Sequence, residues 1–241
     1  MFLGLALYAE GPTDHDFLGT LIFRLCEDLV HRYAEHNVSV SDVMSLNELA
    51  RPRRRSTDRT GVHMPPGAYP ERPITARDER VLFAARFAKG GWTVLLVHAD
   101  GAGDAECARR EQVQPALDLV QAAEDLPGTV CAVIPVREME SWVLADPEAL
   151  GVPAGFVTLE EMPVPPARAA HVERIRDPKE ALKRVVHARR AGRTGRVVDM
   201  GDMLKDLAQR MNLQRLRDVP SFRTFEAELD TCLRQLRILS P

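Results

Sequence analysis

The stretch Trp92-Thr93-Val94-Leu95-Leu96-Val97-His98-Ala99-Asp100-Gly101-Ala102-Gly103-Asp104 decides the fold. Its first half is apolar without alternation, the pattern of a strand buried on both faces, and such strands occur in parallel sheets covered by helices. Its second half is a glycine-rich turn with two aspartates, placed at the strand's carboxyl end, where α/β sheets build their sites. Two other runs repeat the arrangement. Phe2–Ala9 leads into Glu10-Gly11-Pro12-Thr13-Asp14, and Thr129–Val136 leads into Glu138-Met139-Glu140.

Between these strands the spacing changes to that of helices. Residues Phe17, Leu18, Leu21, Ile22, Leu25, Leu29 and Tyr33 recur at three to four positions, which predicts a helix from about Asp14 to His36 with Thr13 as its cap. A short strand is expected in Val38–Leu46, then a proline-rich loop from Arg51 to Pro73. Thr75 is expected to cap a helix to about Lys89 that Gly90-Gly91 closes. Asp104–Asp125 reads as a further helix, and Glu140–Leu150 as a short one broken at Pro147. The order β-α-β-α-β-α-β predicts an α/β, Rossmann-like, mostly parallel, doubly wound sheet flanked by helices over residues 1–150. Residues 151–241 show no strand pattern. Helices over Asp177–Ala191, Asp199–Met211 and Phe222–Leu236 would form a C-terminal extension packed on that core.

Composition fits a globular chain with a full core: 241 residues, 45% of them hydrophobic. The apolar run around Val94–Val97 is far short of the roughly 20 residues of a membrane span, and Met1-Phe2-Leu3 lacks the basic start of a signal peptide, so a cytoplasmic protein without membrane contact is expected. The cysteines Cys26, Cys107, Cys131 and Cys232 form no C-x-x-C pair and read as reduced thiols. The net charge of −3 leaves any nucleic-acid contact to a local patch. Arg51, Arg53, Arg54, Arg55 and Arg59 supply one, suited to phosphates without sequence readout, although a solvated loop has the same composition.

Three strands ending in carboxylates would bring up to six acids to one crevice, which repulsion opposes unless a cation or shared protons intervene. The metal-ligand candidates are Glu10, Asp14, Asp100, Asp104 and Glu138, and the catalytic candidates are Glu10, Asp100, Asp104, Glu140 and Lys179. Mg²⁺ or Mn²⁺ is the expected cofactor, because hard cations take oxygen ligands together with substrate phosphate. Each acid also has a plainer reading. Asp104 can cap its own helix, Asp14 can sit at the positive end of another, and Glu138 and Glu140 share a face only if extended. Lys179 draws attention because the chain has four lysines against 28 arginines. Arg137 can be a counter-ion or a phosphate clamp, while Trp92 and Trp142 read as core.

The Glu10-Gly11-x-x-Asp14 block, the Asp100…Asp104 block and Ile134-Pro135-Val136-Arg137-Glu138-Met139-Glu140-Ser141-Trp142-Val143-Leu144-Ala145-Asp146 resemble a Toprim (topoisomerase-primase) fold. With Asp177-Pro178-Lys179-Glu180 and Pro220-Ser221-Phe222, the chain is similar to the bacterial Toprim-like family called domain of unknown function 4276. More distantly it resembles the Toprim nuclease part of overcoming-lysogenization-defect proteins. The resemblance implies a Mg²⁺- or Mn²⁺-dependent nuclease acting on nucleic acid, DNA rather than RNA, in an antiviral or mobile-element defence setting beside an ATPase partner. A homodimer is compatible with it. It also implies that Glu10 is the Toprim glutamate and Asp100 the first aspartate of its DxD motif. The chain departs from that motif at Ala102, where the second aspartate would stand, so Asp104 would have to fill the role. A non-catalytic partner subunit and a small-molecule phosphohydrolase remain open alternatives.

Overall fold

The computed structural model describes residues 1–47, 76–154, 169–188 and 200–240. Four strands, β1 (Phe2–Tyr8), β2 (Ser39–Ser45), β3 (Val94–His98) and β4 (Thr129–Val133), form one sheet in the order β2-β1-β3-β4. Every pairing is parallel, and the register sets Tyr8 beside Val97 and His98 beside Val133. The carboxyl ends of β1, β3 and β4 therefore finish nearly level. This is the α/β, doubly wound architecture expected from the uninterrupted apolar runs.

Strand side chains alternate between two cores. Leu3, Leu5, Leu7, Val94, Leu96, Cys131 and Val133 face one layer, and Ala6, Tyr8, Leu95, Val97 and Ala132 face the other. Helix α1 (Pro12–Tyr33) covers the first face with Phe17, Leu18, Leu21, Ile22, Leu25 and Leu29. Each such large apolar side chain, fully buried, contributes roughly 1.5–3 kcal/mol. On the second face lie α2 (Arg77–Phe87) and a segment made of α3 (Ala105–Ala108), a π-helical turn (Arg109–Val113) and α4 (Gln114–Gln121).

After β4 come α5 (Glu140–Val143), α6 (Pro147–Ala154), a 3₁₀ turn (Ala169–Arg174), α7 (Pro178–Ala188), α8 (Met200–Arg210), α9 (Leu213–Leu216) and α10 (Pro220–Gln235). Leu204, Leu207, Phe222, Leu229 and Leu233 join the same core as α1, so the C-terminal helices thicken the first layer. Helix α10 also covers the edge of β4. Glu228 Oε1 accepts the Ala132 N–H at 2.9 Å and the carboxylate takes a two-pronged grip from Arg109 at 2.7 and 3.1 Å. Trp142 packs against Phe222 and Phe225, and its indole N–H donates to Ser221 Oγ at 2.8 Å.

Several boundaries differ from the sequence expectation for identifiable reasons. Helix α1 begins at Pro12, with extended Gly11 as its cap, because the Asp14 carboxylate accepts the Gly11 N–H at 2.7 Å; Thr13 lies inside the helix. The expected single helix over Asp104–Asp125 widens into a π turn ahead of Pro115, which has no N–H to return to the preceding turn. Strand β3 spans Val94–His98, and ahead of it the Trp92 indole N–H donates to Ala85 O at 3.0 Å. Thr75, the Arg51–Arg59 patch and residues 189–191 at the expected end of α7 lie outside the described residues. Among the described residues no helix is long and apolar enough to cross a membrane.

Candidate functional site

The site forms where the three level strand ends meet. After β1 the chain is tied to the end of β2 by Asn47, whose side chain pairs with both Ala9 N–H and Ala9 C=O. That fixes where Glu10 leaves the sheet and where Asp14 opens α1. After β3 the turn is stitched to the segment following β4: Gly101 N–H donates to Pro135 O at 3.0 Å, Ala102 N–H to Arg137 O at 3.0 Å and Gly103 N–H to Val136 O at 2.7 Å. Only glycine fits at 101, since a Cβ there would stand 2.4 Å from both Pro135 O and Val136 O. This close approach brings Asp100 alongside Glu138 and Glu140.

Asp100 is the centre of the cluster. Burial, and then the charges of Asp14, Glu10, Glu140 and Glu138, push its carboxyl up to about 7. Five of the six acids singled out from sequence thus act on one another. The buried Glu140 is also pushed up, by burial first, which outweighs the ammonium of Lys179 with its Nζ 3.8 Å from Oε1. Lys179 enters from the first turn of α7, and Glu140, Glu138, Asp100 and Asp14 hold its proton more tightly than usual. The C-terminal half therefore supplies a cation to the acidic end of the sheet.

Asp104 is placed differently. Its side chain is exposed and accepts the Cys107 N–H at 2.8 Å as the cap of α3. Ala102 is also exposed, in a left-handed conformation with φ 49°. Arg137 lies against Gly103 and donates to Arg176 O at 3.4 Å. Two residues that spacing could not have suggested complete the edge. Arg77, at the start of α2, pairs with Glu10 Oε1 at 3.2 Å, donates to His98 O and stacks over the Tyr8 ring. His98, the last residue of β3, is fully buried, and burial drives its imidazole toward the neutral form. Its only sequence signal is a histidine ending an apolar strand just before an acid.

Among the described residues no three His, Cys, Asp or Glu side chains stand close enough to enclose a metal ion. Two carboxylates nevertheless present a buried oxygen without a hydrogen-bond partner, Asp100 Oδ1 and Glu138 Oε2. Mg²⁺ and similar divalent ions commonly take one or two carboxylates and complete their shell with water and substrate phosphate, so these two open oxygens can serve such an ion without a closed cage. A family model described as domain of unknown function (DUF4276) matches residues 9–230. No curated protein and no solved structure matches the chain.

Proposed function

We propose a function for this chain, which belongs to the family described as domain of unknown function (DUF4276): it is a divalent-cation-dependent hydrolase of phosphodiester bonds in nucleic acid, DNA rather than RNA. The observation that carries the reading is the convergence of Glu10, Asp14, Glu138 and Glu140 on Asp100, with two carboxylate oxygens buried and unclaimed. Such a cluster is costly as it stands, and a cation relieves it. Asp100 and Glu138 would hold Mg²⁺ or Mn²⁺ through these oxygens, with Glu10 and Asp14 adding negative charge around the ion. When bound, the ion would stabilise charge on the phosphate and acidify a water molecule.

The chain's own groups have separate tasks. Glu140, a carboxylate of raised proton affinity, takes the proton of the attacking water. The water oxygen bonds to phosphorus as the bond to the leaving oxygen breaks; the Lys179 ammonium, 3.8 Å from Glu140, offsets the charge on that oxygen, which takes its proton from solvent. The arginines at 51, 53, 54, 55 and 59, with Arg137, contact backbone phosphates. The likeness of the same acidic blocks to Toprim nucleases supports this chemistry and a defence setting beside an ATPase.

The reading is tested by incubating purified protein with supercoiled DNA and Mn²⁺. Cleavage that disappears in Glu10→Ala and Asp100→Ala is expected; equal cleavage in both variants would refute it. One observation favours a second reading, a non-catalytic partner subunit: Asp104 is committed to capping α3, and no acid replaces it beside Asp100 from that turn. Stable association with an ATPase, together with no cleavage under any cation, would favour that alternative.

A further inference from the structure

His98 ends an apolar strand, and its ring has no exposed surface. Its Nδ1 lies 2.9 Å from Val133 O. A carbonyl can only accept, so Nδ1 carries the hydrogen, and the neutral ring presents a lone pair at Nε2. That nitrogen faces Asp100 Oδ1 at 3.5 Å, and neither atom makes a hydrogen bond. Two buried lone-pair atoms facing each other need something positive between them.

The spacing exceeds a direct hydrogen bond and lies within reach of two donors on one ion. A hydrogen bond between these atoms would draw them to about 2.7–3.2 Å. Two donors held by one ion at about 2.1 Å each stand about 3.0 Å apart at an octahedral angle and about 3.4 Å apart at a tetrahedral one. The observed 3.5 Å is beyond a direct hydrogen bond and close to the wider of these two arrangements. The other ring nitrogen also matches, since metal-bound histidines donate their remaining N–H to a carbonyl or carboxylate that fixes tautomer and orientation.

We infer that His98 Nε2 is a nitrogen ligand, paired with Asp100 Oδ1, of the cation held at this edge, and that the site prefers a first-row transition ion over magnesium. The inference rests on reading the edge as a cation site. Imidazole adds little affinity for Mg²⁺, which favours oxygen and retains water, whereas it suits first-row transition ions. The neighbouring carboxylates supply the charge, and His98 supplies the selectivity.

The test uses the full chain stripped with EDTA and titrated calorimetrically with Mn²⁺ or Mg²⁺ alone, followed by pulsed EPR of the Mn²⁺ complex. Mn²⁺ is expected to bind at least about tenfold more tightly than Mg²⁺, with a ¹⁴N coupling from a coordinated imidazole. In His98→Gln the coupling should vanish and the two affinities converge. If the variant does not fold, the wild-type spectrum decides. Bound Mn²⁺ without nitrogen coupling overturns the assignment of His98 and leaves the cation site standing. Binding of neither ion overturns both.

Discussion

Replacing Asp100 with Asn should stabilise the cation-free protein at alkaline pH and leave it unchanged in acid. The ordinary aspartate value of 3.8 is displaced to about 7 by burial and by four neighbouring acids. Below about pH 4 the carboxyl is protonated in both folded and unfolded chains, so its effect is nil. Between 4 and 7 the folded state holds a proton that the unfolded state has released, and stability falls as pH rises; above 7 the loss is complete. At about 1.4 kcal/mol per pH unit the full displacement is worth roughly 4 kcal/mol. The side chain is 24% exposed, which lowers the figure to on the order of 3 kcal/mol. For a chain of this size that is a rise in melting temperature of roughly 6–12 °C at pH 8. The assay is thermal unfolding in EDTA at pH 4 and pH 8. An Asp100→Asn variant that is neutral or destabilised at pH 8 would refute the account of Asp100 as a repelled, buried charge.

Three further outcomes are expected. Gly101→Ala, whose new Cβ would meet Pro135 O and Val136 O at 2.4 Å, should cost about 2 kcal/mol and remove cation-dependent stabilisation, because it separates the Asp100 turn from Glu138; a normal thermal shift with Mn²⁺ would contradict this. Lys179→Met removes the ammonium that favours ionised Glu140, so the acidic limb of the cleavage-rate profile should move to higher pH; an unmoved limb would separate Glu140 from the chemistry. Trp142→Ala deletes the fully buried ring packed on Phe222 and Phe225 and should cost roughly 3–5 kcal/mol by urea unfolding. A loss below about 1 kcal/mol would show that α10 is not anchored there.

The sheet was legible because its central strands are continuous apolar runs, and the level strand ends follow from parallel pairing. The gathering of Glu10, Asp14, Asp100, Glu138 and Glu140 was legible for the same reason: each acid directly follows or nearly follows such a strand. Asp104 was ambiguous, since an acid opening a helix after a glycine turn looks alike as cap or ligand; the backbone stitching of residues 101–103 to 135–137 turns it outward. Thr13 was expected as a cap because its hydroxyl suits the role, but the Asp14 carboxylate reaches the Gly11 N–H first. Arg77, His98 and Asn47 act through contacts made only when distant segments meet, and no local spacing encodes them.

The cation site itself is tested most directly by calorimetric titration of the full chain with Mn²⁺ at pH 6, repeated in two buffers of different ionisation enthalpy. With its carboxyl held near 7, Asp100 carries a proton at that pH, so binding should release close to one proton per ion, and Asp100→Asn should abolish the release. A titration that shows only heat of dilution, or binding with no proton released, would contradict the account.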